Sequence, residues 1–176
     1  MEWAPMGAEP DSMTGGAAMP LDVEVILEET GWAECLDDPE GLCRRVLDHA
    51  ARKIPETGDG SAELSILLTG DERVRKLNAE FRGKDTPTNV LSFPTGDENF
   101  MPPAGPVYLG DIAIALETVQ READAAGKPI GHHLAHLAVH GFLHLLGYDH
   151  LEDGEAQEME NLERQILAGL DIPDPY

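Results

Sequence analysis

Six of the chain's seven histidines fall between His132 and His150, and this cluster restricts the fold more than any other feature. His140 and His144 are four residues apart, so on an α-helix they lie one turn apart on one face, where two imidazoles can reach a single ion. Gly147 follows as a helix stop, because glycine takes left-handed backbone at little cost. The chain can then turn back and offer His150 as a third nitrogen ligand. Three protein ligands and an open fourth position describe a catalytic zinc site, with Zn–N distances of about 2.0–2.1 Å. A closed structural site would use a fourth side chain, often Cys, and Cys35 and Cys43 are both remote in sequence. His136 shares the helix face but sits eight residues from His144, about 12 Å along the axis. Support of a ligand, contact with substrate and plain packing all stay open for it. His132 and His133, at the helix start, are expected at the surface or in a cap.

The rest of the chain supplies a small sheet and its helices. Leu21, Val23, Val25 and Leu27 alternate with polar neighbours and predict a strand. Asp38 and Pro39 read as an N-cap and first-turn signal. Leu42, Val46, Leu47 and Ala50 then form the apolar stripe of a helix that ends before Pro55. Strands are expected at 63–69, 90–93 and 107–116. Helices are expected at 71–81, 117–126, 130–146 and 154–167. The second of the five helices should bury Val74, Leu77 and Phe81, and the last Met159, Leu162 and Ile166. Arg82 to Pro87 is a loop by its Gly, Pro and polar content, and Asp97 to Pro106 an irregular connection. The fold class expected is α+β with α/β character: residues 21–176 as a single catalytic domain, a small mixed sheet packed with about five helices. The metal site lies at the end of a central helix. Residues 1–20, rich in Gly, Pro, Met and acids without periodicity, read as a disordered acidic lead-in.

Charge bears on partners. The formal net charge is −22, which argues against a nucleic-acid binder. Its distribution weakens that argument. Residues 1–40 hold eleven acids and no Lys or Arg, and residues 151–176 hold eight acids and Arg164. Five of the twelve bases, Arg73, Arg75, Lys76, Arg82 and Lys84, crowd into one short stretch. They form either a local basic patch or the solvated face of a helix. No apolar run approaches the roughly 18 residues needed to span a bilayer. No basic region followed by an apolar one marks a secretory signal, and two isolated cysteines suggest no disulfide framework. A cytoplasmic protein without a membrane partner is expected.

The spacing His140, His144, Gly147, His150 matches that of metzincin proteases. Those enzymes place a glutamate general base directly after the first histidine. Here that position is Gly141, which can take no proton, and this counts against a zinc metallopeptidase.

Longer stretches resemble a different family. Val139-His140-Gly141-Phe142-Leu143-His144-Leu145-Leu146-Gly147-Tyr148-Asp149-His150 is similar to the signature of the YbeY family of bacterial endoribonucleases. Leu77-Asn78 and Phe81 through Pro94 (FRGKDTPTNVLSFP) agree with it, as does Leu109-Gly110-Asp111-Ile112. The likeness runs through most of residues 60–168; Asn89 departs from it, aspartate being usual there. The resemblance implies a metal-dependent endoribonuclease selective for single strands. It would act on rRNA precursors at the 3′ end of 16S rRNA and in ribosome quality control, with the small ribosomal subunit and its assembly factors as partners. It implies one zinc ion per chain on His140, His144 and His150, and a functional role for Arg82. Zinc can activate water for attack on a phosphodiester, and a guanidinium can grip the phosphate and stabilise developing charge. A non-catalytic ribosome-associated factor with structural zinc is the remaining alternative.

Overall fold

The computed structural model describes residues 20–54, 60–95 and 106–176. Most of the lead-in and of the irregular connection before Val107 lie outside these. In chain order the elements are β1 (Leu21–Leu27), α1 (Gly31–Cys35), α2 (Pro39–Lys53), β2 (Ala62–Thr69), α3 (Asp71–Arg82), β3 (Val90–Pro94), β4 (Val107–Ala115), α4 (Leu116–Ala126), α5 (Ile130–Leu145) and α6 (Asp153–Ala168). The strands form one mixed sheet in the order β1-β2-β4-β3. β1, β2 and β4 run parallel, and β3 pairs antiparallel to β4.

The expected α+β domain with a small mixed sheet is therefore what the chain forms, with six helices among the described residues rather than five. The additional one, α1, is too short for an apolar period to show. Its anchor is Trp32, fully buried, whose indole N–H donates to the Thr69 carbonyl at 3.0 Å. Asp38 caps α2 as its position suggested, its carboxylate accepting from Gly41 N at 3.0 Å with Pro39 in the first turn.

The two faces of the sheet are treated unequally. On one, Val23, Val25, Leu64, Ile66, Leu68, Ile112 and Ile114 pack against α2 and α5 in the main core. α5 is central, contacting α2, α4, α6, β3 and β4. It buries Leu134, Leu137, Ala138, Val139, Phe142 and Leu143, which leaves its histidine stripe as the only polar face. On the other face a smaller cluster joins Val74 of α3 to Leu91, Ala113 and Ala115, with Leu67, Leu77 and Phe93 beside it. α3 covers only part of that face. Phe81, expected inside with Val74, is 60% exposed. The helical period is right, but the last turn of α3 opens onto a cleft over the sheet, where the Phe81 ring meets Phe93 edge-on at 5.4 Å.

His133 is buried rather than at the surface where its place at the helix start put it. α4 lies against this end of α5, and the Glu122 carboxylate takes the His133 Nε2–H at 2.8 Å. The same oxygen accepts from Asn89 Nδ2 at 3.0 Å, while Asn89 Oδ1 accepts from Val90 N at 2.7 Å.

Two glycines mark where the backbone is closely approached, by backbone at Gly110 and by side chains at Gly141. Between Glu63 and Leu64 the β2–β4 register jumps over Leu109, a bulge that puts Gly110 at φ +138°. A Cβ there would lie 2.3 Å from the Phe93 carbonyl oxygen. At Gly141, a Cβ would lie 3.0 and 3.1 Å from Ile112 and 3.2 Å from Ser92 Oγ. The histidine helix rests directly on the sheet at that point.

Candidate metal centre and adjoining cleft

The end of α5 builds the site. Gly147, at φ +101°, closes the helix with paired bonds: Gly147 N donates to the His144 carbonyl and Tyr148 N to the Leu143 carbonyl, each at 3.0 Å. This turn has two results. It brings His150 back over the helix end, where a ligand atom of His140, His144 and His150 each lies within 4.8 Å of the others. It also aims the Tyr148 carbonyl at His144 Nδ1, 3.0 Å away.

A carbonyl oxygen only accepts, so His144 must carry its proton on Nδ1. The same logic applies to His140, whose Nδ1 lies 2.8 Å from Glu163 Oε2. Glu163, on α6, is fully buried. Burial alone would raise its pKa, but bonds from His136, His140 and Tyr176 outweigh that and hold it down at about 2. It is an anion that only accepts. Both ligand rings in their neutral form therefore leave an unprotonated Nε2, and these two lone pairs face each other at 3.1 Å. Nitrogens bound tetrahedrally at about 2.0–2.1 Å from zinc lie roughly 3.3 Å apart. A cation fits this arrangement, whereas two lone pairs alone repel. Burial, followed by the neighbouring His140 and His150, lowers the His144 pKa, which keeps the ring neutral and able to bind metal. His150 is exposed, so one side of the centre is open.

His136, His140 and Glu163 form a second group with the spacing of a metal site. We read it as support for the first. Its 2.8 Å contacts from His136 Nε2 and His140 Nδ1 to Glu163 are direct hydrogen bonds to a carboxylate, the arrangement that orients metal-binding histidines. Sequence spacing had left three roles open for His136. Glu163 was missed altogether, although it left a signal: an acid between Met159 and Ile166 on the buried stripe of α6.

Arg82 lies elsewhere. It ends α3 on the other side of β3, exposed, with Nη2 donating to the Ser92 carbonyl at 2.6 Å and its guanidinium 5.5 Å from the Phe93 ring centre. It lines a cleft of about 700 Å³ with Ile26, Leu67, Phe81, Phe93 and Asp111. The three histidines are not among the lining residues. The link between the regions is Ser92, whose hydroxyl donates to the Gly141 carbonyl at 3.3 Å, beside His140. Of the basic run, Arg75 is held by Asp85 and Glu72, Lys76 by Glu72, and Arg73 reaches Glu28 at 3.9 Å. Among the described residues, Arg82 and Lys84 have no carboxylate partner within 4 Å.

Comparisons with known proteins identify a family. A family model described as Endoribonuclease YbeY matches residues 32–171. A protein of that name from Rhodopseudomonas palustris strain CGA009 is 52% identical over 173 residues, spanning 97% of this chain and 90% of its own length. Another from Bradyrhizobium sp. strain BTAi1 is 51% identical over 160 residues, spanning 87% of this chain and 90% of its own. The solution structure of TM1509 from Thermotoga maritima shares the fold, with a TM-score of 0.51 at 23% identity over 85% of this chain and 91% of that one.

Proposed function

The chain belongs to the YbeY endoribonuclease family, and from that premise we propose that it cleaves single-stranded RNA at a zinc ion held by His140, His144 and His150. The observation that carries the metal reading is the 3.1 Å approach of His140 Nε2 to His144 Nε2, with each ring's Nδ1 turned to an acceptor. Zinc bound there would supply an activated water and a Lewis acid for the phosphodiester.

The protein's own groups do the rest. Glu163 and the Tyr148 carbonyl accept from Nδ1 of two imidazoles and so favour the tautomer that can bind metal through Nε2. Exposed His150 leaves the open side through which a strand of RNA can approach. Among the described residues Arg82 has no carboxylate partner, and it presents a planar fork suited to two phosphoryl oxygens. Its tie to the Ser92 carbonyl fixes it to the strand that supports Gly141, so phosphate grip and metal centre share one rigid support. The substrate proposed is an rRNA precursor, with the 3′ end of 16S rRNA as the site of action and ribosome quality control as the wider role. The small ribosomal subunit and its assembly factors are the proposed partners, in the cytoplasm.

Packing at Gly141 speaks against peptide hydrolysis. The Cβ of a glutamate there would lie 3.0 to 3.2 Å from Ile112 and Ser92, so the general base of a metzincin would fit only if they shifted, and glycine itself can take no proton. A paired assay tests the proposal: zinc-loaded protein and His144→Ala are given rRNA fragments and an unfolded protein. Cleavage of RNA alone, lost in the variant, is expected. Cleavage of the protein substrate, or of neither, would overturn it.

A further inference from the structure

The chain after α6 folds back toward the metal centre and ends its path at Glu163. Tyr176 donates its hydroxyl to Glu163 Oε1 at 2.5 Å, and its ring stands edge-on to His136, with centroids 5.4 Å apart. The placement is built. Asp174 accepts Arg164 Nε at 3.1 Å on both oxygens and Tyr176 N at 2.9 Å on one, while the Arg164 guanidinium lies 5.2 Å from the Tyr176 ring centre. Tyr176 is 53% exposed, so what it contributes is concentrated at the hydroxyl and one ring edge.

The buried carboxylate needs this donor. Oε2 is committed to His140 Nδ1–H, and Oε1 takes His136 Nε2–H and the Tyr176 hydroxyl. Burial, and then the bond to Glu163, raise the Tyr176 pKa, so the hydroxyl stays protonated and always donates. Without it, Oε1 keeps one donor, His136, and a buried anion with an unfilled acceptor site turns toward whatever donors remain.

We propose that Tyr176 is a positioning residue of the metal centre, its hydroxyl holding the Glu163 carboxylate so that Oε2 fixes His140 with Nε2 toward the ion. The inference rests on the three-histidine reading above. Loss of a group that orients a metal-binding histidine typically costs 10–100-fold in metal affinity. Tyr176 acts one bond further out, so an effect of about tenfold is expected.

The test is zinc affinity by competition with a chelator, on the full chain, with the absorption spectrum of the cobalt-loaded protein as a second readout. Tyr176→Phe keeps the ring against His136 and Arg164 and removes only the hydroxyl. It should bind zinc about tenfold more weakly and shift the cobalt spectrum. In a Glu163→Gln background the same change should have no further effect, because the hydroxyl acts through the carboxylate. Wild-type affinity in Tyr176→Phe would overturn the proposal, as would an equal loss in both backgrounds. Full zinc retention by His144→Ala would remove the three-histidine centre itself and the proposal with it.

Discussion

The histidine end of α5 and the Arg82 cleft flank the same strand, β3, yet they are organised in opposite ways. In the first, the polar groups are held from behind by buried partners: Glu163 is fully enclosed, and His136 and His144 are half-buried. In the second, Phe81, Arg82 and Lys84 stand exposed, and the sheet face beneath α3 is only partly covered. An ion of fixed size and geometry rewards a centre arranged before binding. A flexible polymer that must enter and leave rewards an open surface with a few fixed charges. The difference teaches that a substitution should act on metal at one end and on turnover at the other, with little crossover.

The largest effect is expected at the ligands. Purified protein should hold about one zinc per chain, and His140→Ala or His144→Ala should each lose nearly all of it, since two nitrogens bind zinc weakly. Metal analysis after dialysis decides this. Arg82→Ala provides the opposite case, keeping its zinc while RNA cleavage falls on the order of 10²–10³-fold, the usual loss for one transition-state donor. Arg82→Lys should recover little, because an ammonium lacks the planar fork. An Arg82→Ala protein that has lost zinc would show that the two regions are not separate.

Acid should weaken the metal end from within. The folded pKa of Glu163, about 2, lies below its ordinary value of 4.5. Its contribution is therefore fully present above about pH 4.5 and disappears as the pH falls toward 2, on the order of 3 kcal/mol in all. Urea unfolding of metal-free wild type and Glu163→Gln should give curves that converge on acidification. A constant gap between them would mean that the carboxylate is not held as described.

Smaller effects separate tight packing from loose. Gly141→Ala should cost roughly 1–2 kcal/mol of stability, since the added methyl presses on Ile112 and Ser92 and outweighs its better helix propensity. Phe81→Ala, on the open side, should change stability by under about 0.5 kcal/mol. Removal of residues 2–19 should do least, leaving melting and zinc content as they were, because that segment has too little patterned apolar surface to join a core. Pro20 is retained in this variant because its carbonyl accepts from Ala62 N at 3.0 Å.

How much of this could be read beforehand depended on distance along the chain. The strands, the Asp38 cap and the turn at Gly147 are local, and local chemistry foretold them within a residue or so. The meeting of His140, His144 and His150 is also local, spanning eleven residues and one turn. Glu163 and Tyr176 reach the centre only because α6 packs against α5 and the chain returns along it, and no spacing rule carries across that path. The exposure of Phe81 was hidden for a related reason. Periodicity tells which side of α3 is apolar, but not whether that side packs against the sheet along its whole length or opens onto a cleft. Burial of His133 likewise required knowing that α4 supplies Glu122.

That glutamate links residue choices at distant positions. One of its oxygens serves both His133 and the Asn89 amide. Aspartate at 89 would turn a donor into a second anion beside Glu122, close to a ring whose pKa burial lowers and which therefore resists the proton that could reconcile them. The two sites are consequently not free to drift independently. Asn89→Asp should be tolerated far better alongside Glu122→Gln than alone, so a substitution that looks conservative by chemistry is conditional on a residue 33 positions away.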